Sequence, residues 1–376
     1  MLCMTRLLQI VLFSACAAAS GFLHIRWRRI DPSSRSHMWR LYGWFTCLMC
    51  LGCIAGAVAW AAYMQYLAVS FAAVKAESIQ SAAWFQRQQA AAGYWGAAFL
   101  VVYPFEFLLL SVTKLLVLHR MIFFAVAAEP SPSSMERIPQ DGRLAVAGRI
   151  VMIAVVAGNC IGNFGNVASA VYWIQGANRH SEASAAFAGN LTTEAAVCVG
   201  DALQKHELGE KFSTIQKFSE VIVLLLIVAA FTVVAVVCSR RITAAVNRSA
   251  DFAAAQRVRL QILGTAAVVF VTFLLRTVFS IMFALADALQ NDGEADCSGL
   301  CDGCKNVYTH IQVWVHYTPE FRLIIIMVSS PLALLVALWG MTSDRTLQLM
   351  RLNLDCWQRP KAPGSLLPLS LEQYGK

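Results

Sequence analysis

SEVIVLLLIVAAFTVVAVVCSRR, residues 219–241, carries no charge from Val221 to Cys238 and stops at Ser239-Arg240-Arg241. A hydrocarbon core about 30 Å thick takes roughly 20 residues of helix at about 1.5 Å each. The stretch has that length. It lacks the ten-residue alternation of a barrel strand, and with no water to serve the backbone a helix is the spanning solution. The two arginines mark the end that stays in the cytoplasm, because Lys and Arg are retained on that side.

Six further runs have the same character, so that apolar spans are expected at about 7–25, 41–69, 94–118, 150–174, 219–238, 260–286 and 322–341. With 58% of its 376 residues apolar and 14% charged, the chain has no use for a soluble fold. The expected fold is all-α, a polytopic bundle of seven transmembrane helices over 1–341, followed by a tail at 342–376. Basic residues alternate between the connections. Arg26, Arg28, Arg29, Arg35 and Arg40 precede the second run, Arg120, Arg137 and Arg143 follow the third, and the tail ends with Arg359, Lys361 and Lys376. The opposite segments hold fewer, such as Lys75 and Arg87. The N-terminus is therefore expected outside and the C-terminus in the cytoplasm. Arg6, the apolar stretch Leu7 to Phe13 and the small residues Ser14 to Gly21 also resemble a signal peptide. Its cleavage would turn the basic side outward, so the first run is expected to stay.

On that topology Asn190-Leu191-Thr192 is a glycosylation sequon on an outer segment, whereas Asn247-Arg248-Ser249 lies inside and stays bare. Cys198, Cys297, Cys301 and Cys304 fall outside, where thiols imply disulfides in one of three connectivities. The last three, with His310 and His316 nearby, also have a spacing that suits zinc, although no metal or other cofactor is assigned. Cys47, Cys50 and Cys53 read as small core residues. Residues 70–93 are expected to prolong the second helix and turn at Gly93. Residues 175–218 form the longest outer segment, Ala-rich and suited to covering the mouth of the bundle. In the tail, 344–357 reads as an amphipathic helix on the cytoplasmic face, with Cys356 a candidate for palmitoylation.

Ionisable residues inside the membrane cost about 2.5–3.5 kcal/mol each at a helix centre and persist only when paired or hydrated. Lys114 and Arg149 lie near the basic side, where their stems can snorkel. Asp287 lies at the outer end of its helix. Glu106 and Arg276 remain, at depths of about 20 and 25 Å above the basic side by helical rise. An ion pair between the third and sixth helices is expected, either as a structural clasp or as a switch or ligand anchor. The fourth helix carries Gly158-Asn159, Gly162-Asn163 and Gly165-Asn166. The glycines make one stripe and the asparagines an adjacent one. The first suits close packing; Asn159, Asn163 and Asn166 would either bond across that interface or line a hydrated cavity.

No histidine lies deep in a run, and there is no H-E-x-x-H, no paired intramembrane aspartate and no G-x-S-x-G. An enzyme is not expected, nor a nucleic-acid partner. The expected partners are the lipid bilayer and a cytoplasmic signalling protein or anionic lipid. Arg240, Arg241, Arg257 and Arg259 would be the contact, unless they serve positive-inside topology alone. The layout resembles that of G-protein-coupled receptors. His119-Arg120-Met121 closes the third helix where rhodopsin-type receptors carry D-R-Y, and Ser329-Ser330-Pro331 stands where they carry N-P-x-x-Y, so the likeness is one of layout. Phe273-Leu274-Leu275-Arg276 and Pro331 in the last run resemble the tobamovirus multiplication proteins of plants and protists, which would imply an endomembrane scaffold. The reading is an integral protein of a eukaryotic plasma membrane or endomembrane that relays an outer or membrane-borne signal. The rival is a transporter or channel with an intramembrane polar pathway.

Overall fold

The structure, a computed structural model, describes residues 2–29, 37–76, 82–127, 138–246 and 252–293 with Ala333 and Val336. Six helices make up the continuous segments: α1 (Leu2–Arg28), α2 (His37–Ala76), α3 (Ala82–Ala127), α4 (Ile138–Ala188), α5 (Thr192–Val246) and α6 (Phe252–Gly293). No strand occurs among the described residues. Each of the first six apolar runs lies inside one helix. The seventh, apart from buried Ala333 and half-buried Val336, lies outside the described residues. So do the tail helix at 344–357 with Cys356, and Cys297, Cys301 and Cys304.

All six helices are long and apolar enough to cross a membrane. Their outer surface agrees. Phe71, Phe164 and Leu260 are 72%, 75% and 72% exposed, an apolar surface that water would penalise and acyl chains would not. The chain is an all-α, multi-pass integral membrane protein.

Consecutive helices pack on one another, and α3 also touches α5 and α6, which places it at the centre. The core gathers Phe13 of α1, Phe45 and Trp60 of α2, Leu115 of α3, Val155 of α4, Phe231 of α5 and Phe273 of α6. One end of the bundle carries Arg28, Arg40, Arg149 and Arg240; we refer to it as the basic end.

The opposite end departs from expectation. At about 1.5 Å per residue, the 51 residues of α4 and the 55 of α5 reach about 75–85 Å, far beyond one bilayer. Residues 175–218 therefore do not fold over the bundle as a cover. They continue α4 and α5 as a hairpin, with the N-terminal part of α3 packed along it through Gln86–His180 and Ala83–Ser184. Fully buried Ala177, Ala183, Ala195 and Ala202 let these helices approach closely. The turn between them is a Schellman cap, with Leu191 N–H on the Ala186 carbonyl at 2.9 Å and Asn190 N–H on that of Phe187 at 3.2 Å. Asn190 takes the left-handed conformation this cap needs, at φ 59°. Nor does the chain turn at Gly93. The connection falls between Ala76 and Ala82, and Gly93 lies inside α3, where a Cβ would come within 2.9 Å of that of Ala177. What reads as a breaker in sequence is a contact point in space.

Candidate functional site

Buried polar side chains gather where α3, α5 and α6 meet. Tyr103 and Glu106 lie one turn apart on α3, Gln216 and Glu220 one turn apart on α5, and Arg276 and Ser280 one turn apart on α6, so each pair shares a face. Glu106, Gln216, Glu220, Arg276 and Ser280 are all buried. Arg276 donates Nε to Glu220 Oε1 at 3.1 Å, and its Nη2 lies 3.1 Å from the same oxygen. Ser280 Oγ donates there too, at 3.1 Å. Glu220 Oε2 accepts from Gln216 Nε2 at 3.0 Å and from the Tyr103 hydroxyl at 3.3 Å. Arg276 Nη2 also donates to the Tyr103 oxygen. Both oxygens of Glu220 are thus satisfied, the condition under which a buried charge pair is tolerated. The guanidinium lies about 6 Å from the Tyr103 and Phe107 ring centres, at 5.9 and 6.0 Å, near the limit of a cation–π contact.

Arg276 is therefore held by Glu220, not by the expected Glu106. The acid on α3 turns the other way. Its Cδ would be 3.2 Å from a Cβ at Gly56 of α2, with the Phe13 ring on the other flank of that glycine. A side chain at 56 would crowd the carboxyl and come within 2.8 Å of the Phe13 ring. Glu106 Oε2 has no hydrogen-bond partner among the described residues. Lys114 is not a snorkelling residue at the rim either: it is 5% exposed, with Nζ 4.6 Å from the Phe273 ring centre. Arg149 is exposed, as a rim residue should be.

The glycine stripe of α4 is the seam with α5. A Cβ at Gly158 would be 2.6 Å from Val223, one at Gly162 3.2 Å from Ser219, and one at Gly165 3.0 Å from the Phe212 carbonyl. Ser219 Oγ uses the closeness to donate to the Gly158 carbonyl at 2.6 Å. Of the asparagines, Asn159 donates Nδ2 to Val155 of its own helix at 2.8 Å, and Asn163 is half-buried. Asn166 is 1% exposed, and neither its Oδ1 nor Ser169 Oγ one turn further on has a hydrogen-bond partner among the described residues. Contacts of Gly96 with Trp173 and of Gly148 with Ile122 fix the antiparallel register of α3 and α4. Tyr103 and Glu106 are thereby brought to the level of Asn166 and Asn163.

The remaining candidates lie apart. Asn190 is exposed at the α4–α5 turn. Cys198 is half-buried on α5, and its candidate partners fall outside the described residues. Arg240 is exposed at the end of the α5 run; Arg241 lies on α5 and Arg257 and Arg259 on α6.

No known protein family, curated protein or solved structure matches this chain. Nothing in those comparisons identifies a receptor family, so the layout rests on the helices alone.

Sequence reasoning missed Glu220, Tyr103, Gln216 and Ser280. A signal existed in the one-turn spacing of Gln216 from Glu220 at the edge of the fifth run. It was passed over because Glu220 is the second residue of the run 219–238, where an acid reads as part of the helix end and not of the membrane interior.

Proposed function

We propose that this protein is a receptor-like bundle of seven helices, N-terminus outside, that relays an outer or membrane-borne signal to cytoplasmic partners. The observation that carries the reading is the Glu220–Arg276–Tyr103 network. It ties α5, α6 and α3 at one depth, and a helix shift has to break it. A buried pair of this kind has two discrete states, intact and parted, which is what a switch element requires. The long α4–α5 hairpin is the outer lever, and the basic end with Arg240 is the surface presented inside.

The test uses spin labels at Arg149 of α4 and Leu260 of α6, both exposed at the basic end. In reconstituted protein, Glu220→Gln and Arg276→Gln should each change the separation by about 2 Å or more, the scale of helix shifts in switching. Unchanged distances in both would make the network a static clasp and end the relay reading.

Glu106, Asn166 and Ser169 favour a second reading. Their unpartnered buried oxygens are what a small cation or polar solute would use, so that transport is the alternative. Glu106→Gln should then abolish flux in proteoliposomes, while the spin-label distances stay as they are.

A further inference from the structure

Between α5 and α6, at the basic end, a cleft of about 420 Å³ opens on the side of the bundle. Thr232, Ala235 and Val236 form its α5 wall, Ala267 and Phe270 its α6 wall, and Arg240 lies at one end. That volume falls in the range of about 300–1,000 Å³ typical of ligand sites. Arg240 comes two residues after the apolar run that ends at Cys238, so its guanidinium belongs at the headgroup level. Thr232 lies two turns deeper, about 12 Å along the helix. The cleft therefore starts at the polar boundary and runs into the hydrocarbon.

Its shape and charge select an occupant. A groove of about 420 Å³ that runs about 12 Å along the helices is elongated and apolar-walled, the form that suits an acyl chain. Thr232, Val236 and Ala267 are exposed, so the groove is continuous with the surrounding lipid. Among the described residues that line it none is acidic, and an anionic ligand would complement Arg240 at its mouth. On α6, a Cβ at Gly264 would meet nothing within 4 Å, so the backbone beside the mouth stands open as well.

We propose that this cleft is a lipid site that seats one acyl chain of an anionic phospholipid, with the phosphate on Arg240. The site requires only that the chain lie in a bilayer. It holds whether or not the Glu220–Arg276 network relays anything, and whichever end faces the cytoplasm.

Native mass spectrometry of the full-length protein tests it, with phosphatidylglycerol and phosphatidylcholine of identical chains as probes. Wild type should retain the anionic lipid about fivefold better, the scale expected of one basic residue at a membrane surface. Arg240→Gln should erase that preference. Ala267→Trp, at a lipid-exposed position that leaves the core alone, should lower retention of both lipids by filling the groove. Equal retention of the two lipids by wild type would overturn the proposal. A preference that survives Arg240→Gln would assign it to other basic residues and overturn it too. If Ala267→Trp changes nothing, the acyl chain is not in the cleft, whatever holds the phosphate.

Discussion

Arg276 of α6 and Glu220 of α5 form a two-contact ion pair, Nε and Nη2 each 3.1 Å from the same carboxylate oxygen, with both side chains almost wholly buried. Fifty-six residues of sequence separate the two. Removing one member strands the other in a low-dielectric site, a loss of about 3–5 kcal/mol. Glu220→Gln and Arg276→Gln should each destabilise the purified protein by that amount in SDS-unfolding titrations. The double substitution should cost clearly less than the sum, since it leaves no orphan charge. Additive losses would mean that the two charges do not depend on each other.

Tyr103 contributes one hydroxyl to the same network. Interhelical hydrogen bonds in membranes average about 0.6 kcal/mol and reach about 1.7, well below the charge term. Tyr103→Phe should therefore lower stability by about 1 kcal/mol. A loss as large as that of Arg276→Gln would make the hydroxyl, rather than the carboxylate, the principal partner of the guanidinium.

The α4–α5 seam can be probed with a single methyl. At Gly165 the nearest neighbour of a new Cβ is a backbone carbonyl, Phe212 O at 3.0 Å, which has little freedom to retreat. Gly165→Ala should cost about 1–3 kcal/mol by overpacking. Gly200, also helical, has nothing within 4 Å of its Cβ position. Gly200→Ala should be neutral or stabilise by about 0.5–1 kcal/mol through helix propensity. The opposite order in thermal denaturation would show that α4 and α5 are not in this register.

In the hairpin beyond the bundle, His180 Nδ1 lies 2.7 Å from Gln86 Oε1, and the two His rings at 180 and 206 stack at 5.5 Å. His180→Leu leaves the buried Gln86 amide without that partner, at about 1–3 kcal/mol. Amide exchange should quicken along residues 176–188 and 200–209 while the Glu220 region stays protected. Uniform quickening would show that hairpin and bundle open as one unit.

Topology has its own test. Asn190 is exposed in the tight turn joining α4 to α5, at the end opposite Arg240. In a eukaryotic membrane, Asn190→Gln should abolish a glycosidase-sensitive mobility shift that Asn247→Gln leaves intact. The reverse result would invert the bundle and remove the basis for an outer lever.

Hydropathy placed the first six spans inside the right helices, because burial in lipid demands a continuous apolar stretch whatever its neighbours. It also singled out Arg276 and Glu106 as buried charges. Hydropathy could not pair them. Which acid meets Arg276 depends on how α3 is rotated about its axis, and that rotation follows from Gly56 admitting the Glu106 carboxyl and from the α4 glycines seating α5.

The chain itself, then, determined the number of residues that can cross a bilayer, the basic character of one set of connections and the small-residue seam of α4. Each of these is a local property, set by transfer of side chains from water to hydrocarbon and by their size. The tertiary structure decided that Glu220 rather than Glu106 holds Arg276, that residues 175–218 extend outward as a hairpin, and that α5 and α6 part enough to leave a cleft at Arg240. Those outcomes depend on side chains far apart in sequence competing for the same few cubic ångströms, a contest settled only once the helices are packed.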